Sequence, residues 1–397
     1  MKTSQRSNSV GRTKLRMMRE LEAAFDNVIS FTADEPDFPT PDHITEACKA
    51  ALDARLTGCA PSQGVYRLRQ AVARHLRETR GAVYAPEEVL ITAGGMNALR
   101  AAAEALIDPG DEVLIPDPYW PNHFNHPRLS GGVPVPVPVT AESGFVYDIA
   151  ALEARVTDRT KAVLLNSPAN PTGALTDRRA MAALCAFVRA HDLILVSDEC
   201  YDSIVFDGAE FVSPVMFDGM KERTILVSSL SASYAMTGWR LGYAAGPADA
   251  VGAMLRISEN TLAGPAAFVQ HAGIEAREGD QSCVREMTAE LQKRRNLLCE
   301  ALNAMPGVTC ERPRGAFCAW ADIRGTGLSS EEFAVRLLRE KQVSVTPGDG
   351  FGPGGEGYVR MSFALDAERL LEGARRMREF TDELARRRNF FKQIDRF

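Results

Sequence analysis
Leu193–Tyr201 reads Leu-Ile-Leu-Val-Ser-Asp-Glu-Cys-Tyr. Its opening run is apolar without alternation, which predicts a strand over Leu193–Ser197 buried on both faces. Strands of that kind sit in parallel sheets sandwiched between helices. The flanking sequence agrees. Asp177–His191 carries Met181, Leu184, Cys185 and Val188 at helical spacing, and Lys161–Asn166 (KAVLLN) is a strand before it. Working outward, Glu88–Thr92, Glu112–Ile115, Thr224–Ser228 and Leu241–Ala245 read as further strands, with a helix at Ala98–Ile107. Strand, crossover helix, strand is the signature of an α/β fold with a mostly parallel central sheet and helices on both faces.

From about residue 285 the pattern changes. A long amphipathic helix (Val284–Met305) precedes short strands at Val308–Cys310 and Phe317–Ala321, a helix at Ser330–Glu340, strands near Val343–Val345 and Tyr358–Ser362, and a last helix from Asp366 to about Arg387. This predicts a smaller α+β domain over 286–397. The large domain is expected over 43–285, with an N-terminal segment, 1–42, packing against the small one. The proline-rich stretch Pro134–Pro138 and the glycine-rich Pro347–Gly357 read as loops or edge segments.

Composition narrows the function classes. The chain has 397 residues, 45% of them hydrophobic, and a net charge of −6. That is the make-up of a globular protein, not a disordered one. Its interspersed charges give no basic footprint, so no nucleic-acid partner is expected. No apolar run approaches the roughly 18 residues of a membrane span, and the basic N-terminus lacks the apolar core of a secretory signal. Eight cysteines are scattered without a CxxC pair or histidines at ligand spacing. They are expected to be reduced, with no metal site, in a cytoplasmic protein.

The chemistry-bearing residues fall at predicted strand ends, the edge where open α/β sheets bind ligands. Ala93-Gly94-Gly95-Met96-Asn97 opens a helix, whose free N–H groups suit a phosphate; a plain strand-to-helix turn looks the same. Asp198 ends the strand quoted above. A buried carboxylate needs a partner, either a helix N-terminus that it caps or a cationic heterocycle nitrogen. Asn166-Ser167-Pro168-Ala169-Asn170-Pro171-Thr172-Gly173 is a rigid turn that aims Asn170, beside Tyr201, at one site. Ser229, Ser231 and Arg240 gather hydroxyls and a guanidinium at another strand end. Trp120 offers a flat face, for stacking or for the core.

In this order, SPANPTG, SDECY and SLSASYAMTGWRLGYAAGP (residues 229–247) resemble the class I/II aminotransferases, pyridoxal 5′-phosphate (PLP) enzymes of fold type I. The resemblance runs from Glu35-Pro36-Asp37-Phe38 to Arg360. It implies that Gly94, Gly95, Met96, Ser229, Ser231 and Arg240 hold the cofactor phosphate and that Trp120 stacks on the ring. Asp198 would pair with the ring nitrogen and keep it protonated, and Asn170 and Tyr201 would hydrogen-bond the phenolate oxygen. Arg360 would clamp the substrate carboxylate, with Asp34, Asn170, Trp120 and His123 around the substrate. His123 would be a proton carrier or a structural histidine. A homodimer with shared sites is implied, Thr261 reaching the neighbouring one.

Three departures stand out. Ala232 occupies the position of the family's Schiff-base lysine, eight residues before Arg240. Alanine can neither form the resting Schiff base nor shuttle a proton. The intact surroundings point to a Lys→Ala variant that traps an external aldimine instead of turning it over. Asp34 stands where the family has glycine, and Cys59 where it has a tyrosine reaching the neighbouring phosphate. These two leave open side-chain chemistry instead of transamination: elimination or replacement at Cβ or Cγ, or carbon–carbon bond formation, with S-adenosylmethionine among the candidate substrates. A non-catalytic PLP- or amino-acid-binding protein is the third reading.

Overall fold
The computed structural model describes residues 1–394, with side chains through 388. Its centre is a seven-stranded sheet of β1 (Val89–Thr92), β2 (Glu112–Asp117), β3 (Val133–Pro138), β4 (Thr160–Asn166), β5 (Ile194–Asp198), β6 (Thr224–Ser229) and β7 (Gly242–Ala245), in the order β1-β7-β6-β5-β4-β2-β3. The strands from β2 to β6 run parallel, and β7 alone is antiparallel, between β6 and β1. The sheet is thus the mostly parallel α/β sheet of the fold type I architecture. Leu195 and Ser197 are buried on one face of β5, and Ile194 and Val196 are half-buried on the other, as a strand under two helical layers requires. The proline repeat forms the edge strand β3, where missing N–H groups face no neighbour.

A second, four-stranded antiparallel sheet holds β8 (Thr309–Cys310), β9 (Cys318–Asp322), β10 (Thr346–Pro347) and β11 (Tyr358–Ser362), ordered β10-β11-β9-β8. Helices Ser282–Asn303, Ser330–Lys341 and Ala367–Ile394 belong to the same part of the chain. Its core gathers Leu298, Phe333, Val359 and Phe380, all fully buried. The N-terminal segment joins this sheet: Ile29–Ser30 pairs in parallel with Val343–Ser344, and Phe31 O accepts the Ser362 N–H at 2.8 Å. That pairing carries Thr32 and Asp34 over β11. Helices Asp42–Asp53 and Tyr66–Arg80, which the strand pattern does not announce, pack outside the large sheet with helix Ala267–Glu278.

Candidate active site
Register sets the site. Asn166, the last residue of β4, lies opposite Asp198, the last of β5, and Asp198 opposite Val227 of β6. The strand ends converge on a cavity of about 200 Å³. Its wall includes Trp120, His123, Asn170, Asp198, Tyr201 and Arg240, residues from sequence positions far apart.

At one end, β1 turns through Gly94 into helix Gly95–Leu106. Gly94 has φ +82°, and a Cβ there would lie 2.6 Å from Arg240 Nη2; a Cβ on Gly95 would lie 2.6 Å from Cys200 Sγ. Only glycine leaves this turn's backbone bare, with the helix N–H groups open toward an anion. Arg240 is held by Nη1 donating to Thr237 O at 2.7 Å. Ser229 Oγ accepts the Ser231 N–H at 3.0 Å, and both serines line the cavity.

In the middle, Asp198 is 5% exposed. Its Oδ1 accepts the Cys200 N–H at 3.2 Å and its Oδ2 lies 2.8 Å from His123 Nε2. The carboxylate is thus fixed in place, and it lines the cavity. His123 Nε2 is spent on Asp198, and its Nδ1 is buried without a partner. His126, buried behind it, is held neutral: burial, with His123 and Arg100 adding to it, lowers its pKa to about 4. Asn166 ties the floor together, its Nδ2 donating to Asp198 O at 3.1 Å and its Oδ1 accepting the Asn170 N–H at 2.8 Å. Asn170 Nδ2 in turn reaches the Tyr201 hydroxyl at 3.4 Å. Burial pushes the Tyr201 phenol well above its usual pKa, so it remains a donor. Behind the strand end, Arg80 bridges Glu199 (3.2 Å) and Asp202 (2.6 Å), all three nearly fully buried.

At the other end is Arg360, fully buried on β11. A charge that deep requires partners. Nη1 donates to Asp34 Oδ1 at 2.5 Å and to Asn170 Oδ1 at 3.2 Å, and Nη2 to Thr32 O at 3.1 Å. Nε has none. Ala232, 8% exposed, contributes a methyl to the wall beside Phe317, and no lysine lines the cavity among the described residues.

Most of the sequence-derived residues meet here. Gly94 joins through its turn and Arg360 through Asn170 and Asp34. Thr261 does not: it ends helix Ala248–Thr261 on the exposed surface, its hydroxyl spent on Ile257 O. Cys59 is exposed and lies outside the cavity wall. The sequence reading missed Asn166 as a bracket, Phe317, and the Arg80 cluster. Asn166 had a signal, as the polar residue ending an apolar strand one turn before Asn170.

The comparisons match this geometry. The family model for aminotransferase class I and II covers residues 26–377. The chain belongs to that family. It is 40% identical over 367 residues to the putative aminotransferase YugH of Bacillus subtilis, covering 92% of this chain and 95% of that one. It is 38% identical to aromatic-amino-acid aminotransferase 2 of Thermococcus litoralis, over 96% and 99% of the two chains. Among solved structures, the aspartate aminotransferase from Thermus thermophilus with maleate superposes with TM-score 0.90 at 36% identity, covering 96% of this chain and 99% of that one. Class I/II aminotransferases are PLP-dependent enzymes acting on small amino-acid substrates. The cavity fits that cofactor: a bare glycine turn beside Arg240 suits the phosphate, and the fixed buried carboxylate of Asp198 suits a protonated ring nitrogen.

Proposed function
We propose that the cavity binds PLP with an α-amino acid and, with Ala232 in place of a lysine, retains the pair without turning it over. The observation that carries this reading is Asp198. A buried carboxylate at a strand end, oriented by His123 and the Cys200 N–H, is held on the wall of a cavity, where a cationic ring nitrogen would pair with it. When bound, the cofactor supplies an aldehyde that condenses with a primary amine and a pyridinium ring that withdraws electrons.

The protein's own residues divide the remaining work. Gly94, Gly95, Met96, Ser229, Ser231 and Arg240 would hold the phosphate, and Trp120 would stack on the ring. Asp198 would keep the ring nitrogen protonated, with His123 as its positioning residue. Tyr201 and Asn170 would hydrogen-bond the phenolate oxygen. Arg360 would orient the substrate carboxylate. Ala232 cannot take a proton, and no lysine lines the cavity among the described residues. The same reading has two chains share their sites in a cytoplasmic homodimer, with Thr261 and the Cys59 loop facing the partner's cavity. Exposed Leu262 (48%), next to Thr261, supports a covered face there.

The test is Ala232→Lys. With PLP, this variant should develop a visible absorbance band that borohydride reduction makes permanent and links to residue 232. Absence of the band in a folded, PLP-saturated variant sinks the reading.

A further inference from the structure
Asp34 sits in a segment that the N-terminal strand pairing lays over β11. Its two carboxylate oxygens have different fates. Oδ1 accepts from Arg360 Nη1, while Oδ2 makes no hydrogen bond among the described residues. The side chain is 30% exposed and lines both the inner cavity and an outer one of about 580 Å³ that continues from it. One oxygen therefore secures the carboxylate, and the other is offered to whatever enters.

The charges around it decide what that can be. Among the described residues of the inner wall, the acids are Asp34 and Asp198, and the one cation is Arg240 at the glycine-turn end. Arg360 adds a second, already facing Asp34, Asn170 and Thr32. Its Nε is buried without a partner, and the function proposed above gives this guanidinium to the α-carboxylate. On the inner wall a second carboxylate on a short side chain would meet the charge of Asp34. Arg16, Arg19 and Arg100 line only the outer cavity. Like charges brought together in a partly desolvated space cost more than opposite charges there gain at the surface.

We propose that Asp34 sets the substrate class: its free oxygen receives a positively charged side chain and bars a short dicarboxylic amino acid. The inference rests on the cavity being the PLP and amino-acid site proposed above. It separates this chain from relatives named for aspartate.

The test uses stable reduced conjugates, N-(5′-phosphopyridoxyl)-L-lysine, -L-norleucine and -L-aspartate, titrated into the cofactor-free protein by calorimetry. Lysine and norleucine conjugates differ chiefly in the terminal ammonium. The lysyl conjugate should bind about tenfold tighter than the norleucyl one, and the aspartyl conjugate about tenfold weaker. In Asp34→Asn both ratios should fall to near one. Equal binding of all three by the unmodified chain overturns the Asp34 proposal while leaving the PLP site standing. A preference for aspartate overturns it too. Failure of every conjugate to bind removes the cofactor reading and this inference with it. The ranking on the unmodified chain decides the matter even if the variant does not fold. A folded Asp34→Asn that keeps the lysine preference also overturns it.

Discussion
At the glycine-turn end of the cavity, the proposed phosphate site, Gly94, Gly95, Ser229 and Arg240 all come from strand ends of one sheet, within residues 94–240. At the Arg360 end, the proposed substrate site, Asp34, Asn170 and Arg360 come from three distant stretches that meet only where two sheets and the N-terminal segment join. The geometry of the first end is one sheet's own. The geometry of the second depends on how distant segments dock, and it carries an aspartate on its arginine.

That contrast can be broken. The largest effect is expected from Ala232→Lys, which supplies an amine at the cavity wall and should raise amino-group transfer by about 10³-fold or more, read as spectral change under single-turnover conditions. A folded variant with no gain would mean that an amine at 232 is not what the proposed site needs for turnover. Next, Arg360→Leu should weaken amino-acid binding about 100-fold, close to 3 kcal/mol, because it removes a charge-assisted pair and leaves Asp34 without its partner. PLP affinity, measured by equilibrium dialysis, should change little. Arg240→Ala should do the converse, lowering PLP affinity about 30-fold and leaving the ranking of amino-acid conjugates intact. If either variant damages both ends equally, the two are not separable.

The smallest effect probes the support between them. His126 is neutral in the fold, its pKa lowered to about 4, against roughly 6.5 when unfolded. Below pH 6.5 the unfolded chain takes up a proton that the native chain refuses. The stability this group contributes is complete above pH 6.5 and is lost as pH falls toward 4. Between pH 7.5 and 5.5 that amounts to about 1 kcal/mol. Chemical denaturation at the two pH values should show a drop that His126→Asn reduces; an unchanged drop would place the acid sensitivity elsewhere.

The same division explains what was legible in the sequence. The parallel sheet was readable because its strands are short apolar runs with helical spacing between them, and Asp198, Asn170, Tyr201 and Ser229 because strand ends in such a sheet share one edge. The antiparallel course of β7 was not readable, since its residues Gly242–Ala245 are apolar in either direction. Nor was the pairing of His123 with Asp198, 75 residues apart, or of Asp34 with Arg360, 326 apart. Such contacts depend on how elements dock, and no local periodicity records that.

The Arg360 cluster also has a consequence for the order in which the protein comes into being. Synthesis runs from the N-terminus. Every cavity residue at the phosphate end has been made once residue 240 is joined to the chain. The arginine that gives Asp34 its partner is added 120 positions later, after four more helices and most of the second sheet. For that interval the nascent chain holds all the side chains that would grip a cofactor and lacks the guanidinium that would read a substrate.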